Sequence, residues 1–200
     1  MKNPKYESMI KGPVTIVFTP LTKDGSKLNE EQLHKNVRFL INEGMGKECG
    51  VLVSGGSTSD CYVLSIEERK KVFSIACEES KGKCPVFCGI NSTSTNEAIE
   101  LAQYAEKCGA DGVMSTPPFY WINPTADTLY KHYKALSDNC SLGIMIYNNP
   151  NITGQDIPLE TLQMLAEIKN VVALKECSAN FIKFKLVLED LSNKLVVING

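Results

Sequence analysis

Lys175 stands near the C-terminal end of the run Val171-Val-Ala-Leu-Lys-Glu-Cys177, which reads as a short buried strand. An amine facing an apolar interior loses the water around its charge, so its pKa falls and more neutral amine exists near pH 7. Neutral amine attacks a ketone or aldehyde to form a Schiff base. The competing reading is a lysine whose ammonium reaches solvent along its own stem. Two other stretches carry groups that could serve the first reading. Tyr147 ends the apolar run Gly143-Ile-Met-Ile-Tyr147 and is followed by Asn148-Asn-Pro150. A phenol there could relay a proton at a reacting centre, or could be a half-buried packing tyrosine. The run Gly55-Gly56-Ser57-Thr58-Ser59 turns tightly and exposes backbone N–H groups. With the hydroxyls of Ser57 and Thr58 it could hold a carboxylate, or it could be an ordinary loop.

Other chemistries find less support. His34 and His132 fall in helical stretches and read as surface or packing residues. No carboxylate cluster has metal-ligand spacing, so neither a metal nor another cofactor is expected. None of the eight cysteines forms a Cys-x-x-Cys pair. Cys84 and Cys88, the closest two, would lie about 13 Å apart in a strand at ~3.3 Å per residue. Most sit in apolar contexts, where free cysteine behaves as a small hydrophobe, and reduced thiols are expected.

The elements that must position these groups repeat one unit. Apolar runs that read as strands occur at about 14–19, 50–54, 85–89, 112–116, 143–147, 171–175 and 195–199. Their near-continuous apolarity marks parallel strands covered on both faces. Helical periodicity fills the intervals. Asn29 caps a helix to about Glu43, and the capping box Ser65-Ile-Glu-Glu68 opens one to about Glu79. Ser94 or Thr95 starts a third that stops at Gly109, and Thr125 caps a fourth to about Ser137. Pro158 is expected in the first turn of the fifth, and a sixth follows Ser178 and ends near Ser192.

Alternating strands and helices imply an α/β fold, either a closed (β/α)8 TIM barrel or an open doubly wound sheet. The Gly-x-Gly-x-x-Gly fingerprint and Gly-Lys-Ser/Thr are both absent from the sequence, which favours the barrel. Residues 1–200 then form a single barrel domain, and the chain reads as truncated after its seventh strand. In a barrel, chemistry sits where strands end. Those points are Thr19, Gly55 to Thr58, Gly89 to Asn91, Thr116, Tyr147-Asn148, Lys175-Glu176 and Asn199.

Composition bounds the partners. A net charge of -2 with interspersed signs gives no basic stripe for nucleic acid. No apolar run approaches the roughly 20 residues needed to cross a bilayer, and the first residues lack a signal-peptide core. A cytoplasmic location is expected.

Taken together, Gly-Gly-Ser-Thr after the second strand, Tyr-Asn-x-Pro-x-x-Thr-Gly after the fifth and Leu-Lys-Glu in the sixth resemble the dihydrodipicolinate synthase/N-acetylneuraminate lyase family. The opening Gly12-Pro-Val-Thr-Ile-Val-Phe-Thr-Pro-Leu21 and Asp24-Gly25 match as well, and the likeness runs from about Gly12 to Gly200. The resemblance implies a lyase of the class I aldolase type acting on pyruvate or another 2-oxo acid. It implies that Lys175 is the Schiff-base lysine and Tyr147 the proton relay. Gly56, Ser57 and Thr58 would hold the substrate carboxylate, with Thr58 also linked to the tyrosine. The loop Pro117-Pro-Phe-Tyr120 matches one whose aromatic residue reaches a neighbouring subunit. That aromatic is placed at Tyr120, with Trp121 the rival, and a homo-oligomer, dimer or tetramer, is expected.

The chain departs from the family pattern at three places. Where synthases carry an arginine for the second substrate's carboxylate, this chain has Ile152, which cannot pair with a carboxylate. That and Thr153-Gly154-Gln-Asp156 favour a 2-keto-3-deoxy sugar acid aldolase or dehydratase. Dihydrodipicolinate synthesis proper and a non-catalytic carboxylate-binding barrel are the alternatives. Ser59-Asp60 replaces the family's Gly-Glu, a change expected to alter the loop. Gly46-Lys-Glu-Cys49 reads as a small insertion on the far side from the site.

Overall fold

The computed structural model describes residues 1–46, 49–121 and 123–200. Seven strands appear where apolar runs place them: β1 (Val14–Ile16), β2 (Val51–Ser54), β3 (Val86–Gly89), β4 (Gly112–Ser115), β5 (Gly143–Asn148), β6 (Val171–Glu176) and β7 (Val196–Asn199). Helices alternate with them. After a short N-terminal helix α1 (Pro4–Met9) come α2 (Glu30–Asn42), α3 (Ile66–Ser80), α4 (Thr95–Cys108) and α5 (Ala126–Asn139). A single turn α6 (Pro150–Thr153) precedes α7 (Leu159–Leu165) and α8 (Phe181–Leu191).

The caps explain where the helices begin. The Asn29, Ser94 and Thr125 side chains each accept from a backbone N–H three residues on, and Ser65 and Glu68 form the reciprocal box. Gly109 ends α4 in the left-handed conformation at φ 81°. One expected start moves. Pro158 is the residue before α7 rather than inside its first turn. The sixth helix of the alternating series, α8, follows Ser178 as expected and begins at Phe181, where the Asn180 side chain caps it.

The sheet order is β1-β2-β3-β4-β5-β6-β7 and every pair is parallel. A doubly wound sheet reverses its order at a switch point; this one does not. Six inter-strand spacings of about 4.8 Å would hold β1 and β7 of a flat sheet roughly 29 Å apart. Instead, Val14 and Ile16 of β1 and Val196 and Ile198 of β7 pack on one cluster with Val53, Phe87, Met114, Met145 and Ala173. The sheet therefore curls around a common interior, the winding of a (β/α) TIM barrel through its seventh strand. The alternate residues Leu52, Val86, Cys88, Val113, Ile146 and Leu174 face outward into a second cluster with the helices. Both faces are covered, which is why the strands read as continuous apolar runs.

Helix α1 has no counterpart in the sequence reading. Its Tyr6 is buried, meets Phe87 edge-on at 6.2 Å, and its hydroxyl accepts the Gly143 N–H at 2.7 Å. Tyr6 thereby plugs the N-terminal end of the interior. A side chain at Gly143 would start 2.4 Å from the Tyr6 ring, so only glycine admits the plug. In the expected insertion, Lys47 and Glu48 lie outside the described residues. Gly46 packs on Lys83 and Cys84, just before β3, at the end of the sheet away from the strand C-termini. The eight cysteines are free thiols.

Candidate active site

Strand alternation selects which side chains enter the interior. On β5 these are Met145 and Tyr147, and on β6 Ala173 and Lys175. Tyr147 and Lys175 are register partners on adjacent strands. The Lys175 Nζ lies 4.8 Å from the centroid of the Tyr147 ring, a cation–π distance. Lys175 is half-buried and Tyr147 buried. Its amine makes no hydrogen bond or ion pair among the described residues.

The Tyr147 phenol oxygen accepts a hydrogen bond from Asn149 Nδ2 at 2.8 Å, and the Ser57 side chain also faces it. Burial pushes the phenol pKa up; Asn149, and more weakly Ser57, oppose the rise without cancelling it.

The loop after β2 is shaped by close backbone approach. Gly55 has φ 72°, and a side chain on Gly89 at the end of β3 would start 2.3 Å from the Gly55 carbonyl oxygen. Gly56 is buried and extended, and Ser57–Ser59 forms a single 3-10 turn. That turn directs Ser57 toward the phenol and leaves Thr58 exposed, without a hydrogen bond among the described residues. Ser59 causes no strain, because its φ is not positive and its buried hydroxyl donates to the Val17 carbonyl at 2.5 Å. The left-handed residue is Asp60 at φ 55°, a conformation that aspartate tolerates.

Tyr120 is 77% and Trp121 82% exposed, edge-on to each other at 5.8 Å. Neither makes a hydrogen bond among the described residues, and the structure does not bring them into the contacts around Lys175. Ile152 is half-exposed in α6. His132 is buried with Nδ1 2.9 Å from Thr95 Oγ1, and burial pushes its pKa down to about 4. His34 pairs with Glu79 at 2.7 Å. Neither histidine belongs to the site. Among the described residues no group of three or more His, Cys, Asp or Glu could hold a metal ion, and no helix is long and apolar enough to cross a membrane.

A pairing between Asn148 and Glu176, which the sequence marks only as strand ends, escaped the sequence reading. Asn148 and Glu176 follow Tyr147 and Lys175 and, by alternation, point to the opposite face. Asn148 Nδ2 donates to both Glu176 carboxylate oxygens, at 3.0 and 2.9 Å, and to Asp156 Oδ1 at 2.7 Å. Its Oδ1 accepts from the Ile157 N–H at 3.1 Å. Glu176 also accepts from the Ser178 N–H at 2.7 Å and faces Lys183 of α8 at 3.4 Å. Lys183 further pairs with Asp156. The pairing clamps the C-terminal ends of β5 and β6, where the phenol and amine emerge.

A model described as the dihydrodipicolinate synthetase family matches residues 9–200. The chain is 39% identical over 177 residues to the 4-hydroxy-tetrahydrodipicolinate synthase of Bradyrhizobium diazoefficiens, covering 88% of this chain and 57% of the relative. A dihydrodipicolinate synthase from Acinetobacter baumannii, solved in complex with pyruvate, superposes with a TM-score of 0.89 at 33% identity, covering 96% of this chain and 64% of that one. CdNal from Clostridium difficile, solved in complex with mannosamine, gives a TM-score of 0.85 at 26% identity over 95% of this chain and 63% of its own. The chain thus spans less than two thirds of the length of each.

Proposed function

This chain belongs to the dihydrodipicolinate synthetase family, and on that premise we propose that it is a lyase that works through an imine between Lys175 and a pyruvate-type 2-oxo acid. The observation that carries the reading is the amine and the phenol side by side in register, on the inner face, at the strand ends. Neutral Lys175 attacks the C2 carbonyl, and water leaves to give a protonated imine. The imine withdraws electrons, so a bond between C3 and C4 forms or breaks through an enamine. Ser57 and Thr58, with the Gly56 backbone, orient the C1 carboxylate. Tyr147 delivers and removes the proton at each step. The exposed Tyr120 and Trp121 suit a loop that reaches a second copy of the chain.

The partner that joins the enamine separates two readings. The names of the similar proteins favour synthesis of 4-hydroxy-tetrahydrodipicolinate, in which pyruvate condenses with a second substrate bearing a carboxylate. Ile152 favours a 2-keto-3-deoxy sugar acid, since no cation stands there for that carboxylate. The comparisons weigh toward the first.

Borohydride reduction of the folded protein with pyruvate, followed by peptide mass analysis, is expected to place the adduct on Lys175 and to fail in Lys175→Met. A folded protein that takes no adduct refutes the proposal. Product analysis with pyruvate and aldehydes, with and without a carboxylate, then separates the two readings. Ile152→Arg is expected to lower KM for the carboxylate-bearing aldehydes alone.

A further inference from the structure

Asn149 occupies the N-cap position of α6, where Asn is among the best capping residues because its side-chain oxygen accepts a backbone N–H of the first turn. Here the side chain makes no capping bond. The backbone holds the residue instead, with the Asn149 carbonyl accepting from the N–H groups of Ile152 and Thr153 and from Thr153 Oγ1. The carboxamide is turned away from its own helix so that Nδ2 reaches the Tyr147 phenol at 2.8 Å. The oxygen that would have capped the turn, Oδ1, is buried with no donor. An apolar side chain would fill the same space without stranding a polar atom. Neither helix capping nor packing accounts for this arrangement; the bond to the phenol does.

We propose that Asn149 is a positioning residue for Tyr147, fixing the phenol oxygen as a hydrogen-bond acceptor so that its own proton is directed away from Asn149. The inference rests on the reading of Tyr147 as the proton relay and names what tunes that relay. A donor on the phenol oxygen stabilises the phenolate more than the phenol, because the bond strengthens when the acceptor is charged. It therefore eases the half of the cycle in which Tyr147 gives up its proton. The other groups that face the phenol are Ser57 and Cys61 from the loop after β2, and Lys175 and Cys177 on and after β6. Among the described residues, Asn149 is the one that donates a hydrogen bond to the phenol oxygen.

The test titrates the phenol directly in the full chain without substrate, by phenolate absorbance. Tyr147→Phe supplies the difference that isolates it among the seven tyrosines. Asn149→Leu is expected to lower the phenol's ionisation constant about tenfold, moving its pKa upward. Asn149→Asp, nearly the same shape, replaces the donor with a charged acceptor and is expected to move it further in the same direction, which keeps the test decisive if the leucine variant does not fold. An unchanged or lowered phenol pKa in a folded variant overturns the proposal. In the pyruvate reaction, the limb of the pH profile governed by the phenol is expected to shift to alkaline pH with the titration. A profile that stays put while the imine still forms overturns the role in turnover. Absence of any imine would refute the proposed function and leave the titration to decide Asn149 alone.

Discussion

Replacing Lys183 with methionine removes a cation from the clamp between β5 and β6 while keeping the stem that covers it. The ammonium lies 3.4 Å from a Glu176 oxygen, with the two side chains 11% and 2% exposed. At an effective dielectric of about 20, attraction at that distance is worth roughly 5 kcal/mol before the desolvation of the ammonium is set against it. Several kcal/mol of that is offset by stripping water from Lys183. Glu176 keeps the Asn148 amide and the Ser178 N–H as donors after the change. The net cost of Lys183→Met is therefore expected at about 2–3 kcal/mol, below the range for a carboxylate left wholly unpaired.

Lys183 also pairs with Asp156, which is the same in all four proteins; Glu176→Gln removes the buried charge that the cation meets, so the double variant should be less damaged than the two single costs together. A coupling of about 1.5–2 kcal/mol is expected, read from urea denaturation of the four proteins with the slope checked for constancy. Additivity within about 0.5 kcal/mol would refute the reasoning, for it would mean that the two charges do not sense each other.

Three other perturbations test separate parts of the molecule. His132 titrates at about 4 in the fold against 6.5 outside it, so the unfolded chain binds its proton first and stability falls as pH drops from 6.5 to 4; His132→Gln should flatten that slope, worth up to about 3 kcal/mol, in denaturation curves across the window. Glu79, bound by Arg38 and then His34, is held at about 2 against 4.5, so its contribution is present above 4.5 and lost as pH falls through about 2. Glu79→Gln should cost about 1 kcal/mol at pH 7 and weaken the acid dependence below 4.5. Gly89→Ala brings a methyl 2.3 Å from the Gly55 carbonyl and must displace the loop that holds Ser57. It should cost about 2–4 kcal/mol in thermal or urea unfolding and slow imine trapping at least tenfold.

The strands were legible because a barrel strand buries both faces, so its signal is a continuous apolar run bounded by polar residues, as in Gly143 to Tyr147. The helix starts were legible because a cap is a local bond over three residues, as at Ser65 and Glu68. Helix α1 has such a start too, Asn3 capping ahead of Pro4, and went unread; what the sequence could not show is its seat on the barrel, where Tyr6 meets Gly143, 137 residues away. Ser57 and Thr58 are alike in the sequence, and it takes the 3-10 turn to leave one half-buried and the other exposed. Asn149 was hidden for the opposite reason. Asparagine before a proline-led turn has a sufficient local explanation as a cap, and only the orphaned oxygen reveals that the cap is unused.

Lys175-Glu176 places an amine and a carboxylate on neighbouring residues, and a free pair of that kind would bind each other and occupy the amine. Alternation along β6 prevents this, because it sends Lys175 into the interior beside Tyr147 and Glu176 to the other face. The carboxylate still arrives buried and charged, and there it needs partners of its own. Asn148 supplies them from the equivalent position on β5 and Lys183 from α8. The clamp thus does two things with one set of bonds: it holds the two strand ends together, and it satisfies the carboxylate away from the amine. A lysine on α8 therefore bears, from the other face of the sheet, on how firmly the strand ends that carry Tyr147 and Lys175 are held together.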